Sequence, residues 1–428
     1  METTTKKHLN LMESSVIREG ERLAGLTLSI PIKSEHTAST EALILVFCEG
    51  LRAGAGKLSR EQFLDAESML GAHIGVSGDS KFIHITLQSL DTTLTKSLTL
   101  LELMLVSPTF AEKEIKRIKE LLTNALTLSK EDAKARAYEG FVNTHTKPTD
   151  SRYVFPIDEL SRTIQKVTAK SLKSFHKILW NSEWIYTSGG SAPSTKKIAS
   201  CIKKLRGDNV SKVKVSPVSV PFIEREKGSL QLLDIPHKQN IEFSIGNTLP
   251  LTRTDTDYPA FIFGMSVLAL YGGFSGRLMS TVREKEGLTY SIYGQAEKIT
   301  KTEQGFWRIA TFFAPKDAVK GITATLREIK LIREKGITEN ELTRFKAIMN
   351  TRSSLVNDSL IKKVREVQGL RENDISDAEY KEFKAKLQKM TVTEVQTALR
   401  KYLNLETIVI SGAGPIQSVK KELEAFKV

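Results

Sequence analysis

The sequence predicts an α+β fold made of two duplicated halves, each an antiparallel-rich mixed sheet with helices on one face. Three observations predict it. Short runs of alternating apolar residues are interleaved with longer stretches of helical period. Segments of the first half recur in the second at nearly one offset. A stretch rich in proline and charge lies near mid-chain, and 428 residues exceed what one ordinary core organises.

The elements follow in order. Leu26–Ile32 reads as a strand, ended by Pro31 and Lys33, and Thr40–Leu51 as a helix. A glycine turn at Gly54 and Gly56 leads to a second helix capped by Ser59. His73–Ser77 and Phe82–Leu87 read as a hairpin, and helices follow near Leu94–Leu105 and Ala111–Leu128. The second half repeats this plan. Phe110–Lys119 compares with Ile337–Lys346 at an offset of 227, with Glu, Glu, Arg and Lys coinciding. Thr168, Leu172 and Ile185–Gly189 compare with Thr391, Val395 and Ile408–Gly412 at an offset of 223. Two segments sharing nearly one offset, about half the chain, argue for an internal duplication. The seam falls in Arg206–Gly228, which has no helical period and suits an extended linker. The expected organisation is a domain over 1–208, a linker over 209–227 and a domain over 228–428.

Composition narrows the function classes. With 40% hydrophobic and 26% charged residues the chain has the make-up of a soluble globular protein. The polar start is not followed by an apolar segment, which reads as no secretory signal. The longest apolar run, Ala42–Cys48, is far short of a membrane span. Two distant cysteines, Cys48 and Cys201, suit reduced thiols in the cytoplasm. The net charge of +13 raises nucleic acid as a partner, but the charges are mostly interleaved in sign. No zinc-finger spacing, RNP-like motif or phosphate loop accompanies them, so no specific nucleic-acid partner is expected.

The most informative stretch is Tyr271–Tyr290, Y-G-G-F-S-G-R-L-M-S-T-V-R-E-K-E-G-L-T-Y. Leu278 and Val282 share a helical face, Ser275 suits an N-cap and Gly287 a stop. Leu288, Tyr290 and Ile292 then alternate as a strand would, which puts Arg283 in the last helical turn and Tyr290 on the strand. Read locally, these are a helix-end cation and a packing aromatic. G-G-x-S-x-R-L followed by R-E-K-E-G-L-x-Y resembles the C-terminal domain of the pitrilysin/insulinase family of zinc peptidases. The resemblance implies a clamshell of two LuxS/MPP-like halves around a peptide chamber. It also implies that Arg283 and Tyr290, seven apart, bind peptide substrate.

Active members of that family carry H-x-x-E-H early in the first half and a further Glu on a later helix. The G-T-x-x-x-S turn that follows this motif in relatives corresponds to Gly54–Ser59 here. Counting back places the motif on Leu45–Glu49, so its three working positions are Leu45, Cys48 and Glu49. The later ligand position falls on Ala125. Leu45 and Ala125 carry no donor, and Cys48 with Glu49 falls short of the three ligands a catalytic zinc needs. The seven histidines form no H-x-x-x-H or H-E-x-x-H pair. Neither Ser275, which lacks the nucleophile-elbow spacing, nor Cys48, set in an apolar run, reads as a nucleophile.

No metal, cofactor or catalytic residue is therefore expected in this chain. The expected role is a non-catalytic, substrate-binding subunit of a heteromeric pitrilysin-like zinc peptidase. A zinc-bearing partner subunit, or self-association, would complete it, and an unstructured peptide would add as a strand to a sheet edge. The alternatives are a structural subunit like the core proteins of the respiratory bc1 complex, or a stand-alone peptide-binding protein.

Overall fold

The structure, a computed structural model, describes residues 2–8, 11–207, 220–270 and 276–426. Most of the expected linker, and the Tyr271–Ser275 segment with its proposed N-cap, lie outside the described residues. The strands are β1 (Glu2–His8), β2 (Leu11–Ile17), β3 (Leu23–Pro31), β4 (Gly54–Ala55), β5 (Leu58–Ser59), β6 (His73–Gly78), β7 (Phe82–Leu90), β8 (Trp184–Gly190), β9 (Ser229–Asp234), β10 (Ile241–Leu249), β11 (Ile292–Glu297), β12 (Gly305–Phe313) and β13 (Val409–Gly414). The helices of the first part are α1 (Ala38–Leu51), α2 (Arg60–Met69), α3 (Leu94–Val106), α4 (Glu112–Ser129), α5 (Ala133–His145), α6 (Ile157–Ile164), α7 (Ala169–Trp180) and α8 (Ala192–Arg206). Those of the second are α9 (Tyr258–Ala269), α10 (Ala318–Lys335), α11 (Glu339–Asp358), α12 (Leu360–Glu372), α13 (Asp377–Lys389), α14 (Val392–Tyr402) and α15 (Lys420–Ala425).

Two mixed sheets carry the fold. One has the order β1-β2-β8-β3-β7-β6, the other β11-β12-β10-β13-β9. Each is antiparallel except at one corresponding place, β2 beside β8 and β13 beside β9. The duplication is visible in local chemistry as well. Thr168 and Thr391 both open helices with capping boxes, pairing with Ser171 and Glu394. Ser59 caps α2 through the same reciprocal bonds with Gln62.

The chain packs as two units that are not contiguous in sequence. One comprises Met1–Thr127, Phe155–Pro217 and Arg352–Ser376; the other comprises Leu128–Val154, Val218–Thr351 and Asp377–Val428. The difference from contiguous halves is one helix each way: α12 lies in the first unit and α5 in the second.

Strand alternation explains where these helices go. In β3, Ala24, Leu26, Leu28 and Ile30 point into a core shared with α1, α3 and α8. The opposite face carries Gly25, Thr27 and Ser29, continued on β8 by Thr187 and Gly189. With so little bulk, α12 approaches closely. A Cβ at Gly189 would stand 2.4 Å from Val364 Cγ2, and one at Gly25 2.7 Å from Ile361 Cδ1. Val16, Leu360, Val364 and Val367 form a small apolar cluster of their own there. The rest of the contact is polar and satisfied. Buried Gln368 donates through Nε2 to Ser29 Oγ (2.8 Å) and the Ile185 carbonyl (3.0 Å), and accepts from Thr187 Oγ1 (2.8 Å). Buried Arg371 donates to the Ile375 carbonyl (2.6 Å) and Ser14 Oγ (3.2 Å).

The second unit repeats the arrangement. Ile241, Phe243, Ile245 and Leu249 of β10 face a core with α9, α10 and α14. On the other face α5 sets Ala133, Ala137, Phe141 and Val142 against Val409, Ala413 and Phe306. A Cβ at Gly140 would stand 2.4 Å from Ser411 Oγ. Each sheet thus has its helical layer on one face, as the sequence predicts, and a single helix on the other.

His84 fastens the end of α12 to its sheet. Its Nε2 lies 3.5 Å from Asp79 Oδ2, its Nδ1 3.4 Å from Glu372 Oε1 and 3.0 Å from Ser29 Oγ. Burial alone would lower the His84 pKa, but hydrogen bonds and the charges of Asp79 and Glu372 outweigh it and lift the value to about 9. A pKa raised above its unfolded value gives stability that is present in full below the unfolded pKa and is lost as pH rises through the folded one. We predict that chemical denaturation shows stability falling between pH 7 and pH 10, by about 3 kcal/mol at most. His84→Gln should flatten that slope, and an unchanged slope in the variant would contradict the assignment.

Candidate peptide-contacting site

The site is built on the helix after the Tyr271–Ser275 segment. Gly276 lies where backbone crowds it: a Cβ there would meet the Leu268 carbonyl oxygen and Leu270 nitrogen at 3.0 Å. Arg277 follows, and its guanidinium grips Glu341 by two bonds (2.6 and 2.7 Å) and the Gly336 carbonyl by a third (2.9 Å). Glu341 also accepts from the Thr338 amide at the start of α11 (2.8 Å). Burial would raise the Glu341 carboxyl, but the Arg277 and Thr338 bonds outweigh it and hold it below the usual range. Arg277 is thus the clamp that fixes where this helix begins, a role the sequence reading did not assign.

The helix itself, Met279–Lys285, is of π type. The amide of Glu286 bonds to the Thr281 carbonyl, five residues back, at 3.0 Å. Leu278 and Val282 are both fully buried, as their spacing predicts. Gly287 ends the helix at φ 64°, the left-handed conformation that favours glycine.

The strand does not resume at once. Residues 287–291 are irregular and β11 begins at Ile292, so Tyr290 precedes the strand rather than lying on it. The cause is local: the Thr289 hydroxyl bonds the Ser291 carbonyl and amide (3.1 and 3.2 Å), competing with the ladder. Leu288 and Thr289 are buried, whereas Tyr290 is 72% exposed.

This reversal brings the two expected site residues together. Arg283 stands in the last helical turn with Cζ 4.7 Å from the centre of the Tyr290 ring. Its Nη1 lies 3.7 Å from Met279 Sδ. Such a stack holds both side chains for about 0.5–1 kcal/mol at an exposed site. It presents guanidinium N–H donors beside a phenol, chemistry suited to carbonyl oxygens.

The positions on which the resemblance would place a zinc motif lie on α1 and α4 in the other unit. Leu45 packs against the core, Cys48 is buried, and Glu49 and Ala125 are exposed. Burial pushes the Cys48 thiol up to about 12, with the nearby carboxylates of Glu49, Glu41 and Asp79 adding to it. That thiol is protonated at neutral pH, and thiols act as ligands or nucleophiles as thiolates. Among the described residues, no group of three or more His, Cys, Asp and Glu side chains is placed to hold a metal ion. His145 is buried between Phe141 and Phe306, and His176 Nε2 donates to the Leu105 carbonyl at 2.8 Å.

Fold and site together are similar to those of the pitrilysin-type, or M16, peptidases and their inactive homologues. Residues 166–349 match the family described as "Peptidase M16 inactive domain". The chain is 21% identical over 378 residues to the "Non-peptidase homolog YmxG" of Helicobacter pylori, covering 86% of this chain and 83% of that protein. Its fold matches a peptidase M16 inactive domain protein of Pseudomonas fluorescens with TM-score 0.82 at 20% identity, covering 97% of this chain and 98% of that one. It matches a chain of Complex III2 from Candida albicans with TM-score 0.74 at 16% identity, covering 98% and 99%. No helix among the described residues is long and apolar enough to cross a membrane.

The two arginines should behave oppositely. Arg277→Ala leaves Glu341 mostly buried without its partner and should cost about 3 kcal/mol. Arg283→Ala should cost at most about 1 kcal/mol. Melting temperatures of the two variants check this, and equal losses would refute the division of roles.

Proposed function

We propose that this protein is the non-catalytic, substrate-binding subunit of a heteromeric pitrilysin-like zinc peptidase. The observation that carries the reading is the Arg283–Tyr290 stack, held outward by buried Leu288 and Thr289. In this reading Arg283 donates charge-assisted hydrogen bonds to a carbonyl of an extended peptide. Tyr290 donates its hydroxyl near the scissile carbonyl, and a zinc-bearing partner supplies metal and activated water. The donor-poor positions Leu45, Cys48 and Ala125 support a division of labour between two chains. Cys48 and Cys201 form no disulfide, which supports a cytoplasmic setting.

A second reading, a structural subunit of a larger assembly, is favoured by the likeness to the Complex III2 chain. Catalysis separates the two. Arg283→Ala and Tyr290→Phe should each fold and assemble normally, and Arg283→Ala should lower turnover of an unstructured peptide by on the order of 10²–10³ in the reconstituted complex. Wild-type turnover with both substitutions would leave the structural reading.

A further inference from the structure

Helices α7 and α8 carry Lys170, Lys173, Lys177, Lys196, Lys197, Lys203 and Lys204, and no aspartate or glutamate. All seven lysines are exposed. Lys203 pairs with Glu13 (3.0 Å) and Lys204 with Glu102 (2.7 Å). Among the described residues the other five have no ion-pair partner. The chain's positive charge, interleaved with negative elsewhere, is opposed along these two helices by the Lys203 and Lys204 pairs and otherwise stands in excess.

A cavity of about 360 Å³ opens where α7 and α8 meet α3. Its walls are apolar, from Val106, Trp180 and Leu205. Lys177, Lys204 and Glu102 stand around them. Trp180 is held in place from behind, its ring edge-on to buried Trp184 at 4.9 Å and 5.2 Å from the His176 ring. An aromatic wall already fixed costs little entropy when something packs on it. The Lys204–Glu102 bond is a surface pair with Lys204 72% exposed, so a competing carboxylate displaces it cheaply.

We propose that this face docks an acidic segment of a partner protein. One aromatic side chain enters the cavity against Trp180, and flanking Asp or Glu residues meet Lys177, Lys204 and the lysines further along α7. The recess beside Trp180 receives a side chain, as a peptide would supply, whereas a lipid surface would meet only the exposed Val106 and Ile178. The cations argue against nucleic acid. The exposed ones are all lysine, and Arg206, the arginine of α8, is buried, whereas phosphate and base recognition favours the arginine fork. Glu102 at the rim can accept a peptide N–H. The proposal stands independently of the Arg283–Tyr290 reading.

The test is calorimetric titration of the full chain with a capped Asp-Glu-Asp-Phe-Asp-Glu-Asp peptide. We expect saturable binding that weakens with salt, and weakens roughly tenfold or more when the peptide's Phe becomes Ala. The surface variant Lys177→Glu/Lys204→Glu should lose binding while keeping the wild-type melting temperature. Trp180→Ala should lose the preference for Phe over Ala. Binding indifferent to the Phe, or unchanged in the charge-reversed variant, would overturn the proposal. So would tighter binding to phosphatidylserine vesicles or to an oligothymidylate than to the peptide.

Discussion

The close approach of one helix to a sheet face stripped of bulk is what the rest of this structure depends on. Gly25, Thr27, Ser29, Thr187 and Gly189 leave room for α12 on one sheet, and on the other Gly140 of α5 leaves room for Ser411. A face of small and polar residues cannot hold a helix by apolar area alone. Specific bonds do that instead: Gln368 satisfies three groups at once, and His84 bridges two carboxylates at the helix end. The two helices stand 227 residues apart, Ala133 with Leu360 and His145 with Glu372, the spacing that relates α4 to α11. Each duplicated half therefore contributes its corresponding helix to the other unit, and neither unit's packing is complete from one contiguous stretch of chain.

Much of this was legible in the sequence. Elements with strong local signals appear where periodicity and caps put them: Ser59 before α2, the hairpin of β6 and β7, Thr168 and Thr391 before their helices. The two offsets revealed the duplication because they fall on segments with the same role in each unit. The exchange of α5 and α12 was not legible. Local pattern announces a helix but not which sheet receives it, and the receiving faces read only as the polar side of an alternating strand. The π-type turn was also hidden, since Leu278 and Val282 lie on one face whether the turn has four residues or five. The early start given to β11 came from trusting alternation over a Thr side chain that bonds its own backbone.

The site was legible only by resemblance. Nothing in the spacing of Arg283 and Tyr290 alone announces a functional pair. The structure adds the physical link: a helix ended by Gly287, two buried residues as an anchor, and a ring turned back over the guanidinium. Where metal ligands would stand there are now a packed Leu45, a buried protonated Cys48, a solvated Glu49 and an exposed Ala125. The first unit holds packing residues where the resemblance would put metal ligands, and the second holds the Arg283–Tyr290 stack on which the proposed peptide contact rests.

The central claim is that peptide substrate passes over Tyr290. The most direct measurement is photocrosslinking with benzoylphenylalanine in place of Tyr290, which retains an aromatic ring at that position. In the assembled complex, irradiation with a labelled unstructured peptide should join the peptide to this chain. Unlabelled peptide should compete, and Arg283→Ala should weaken the product. A complex that binds the peptide while position 290 yields no crosslink would contradict the account.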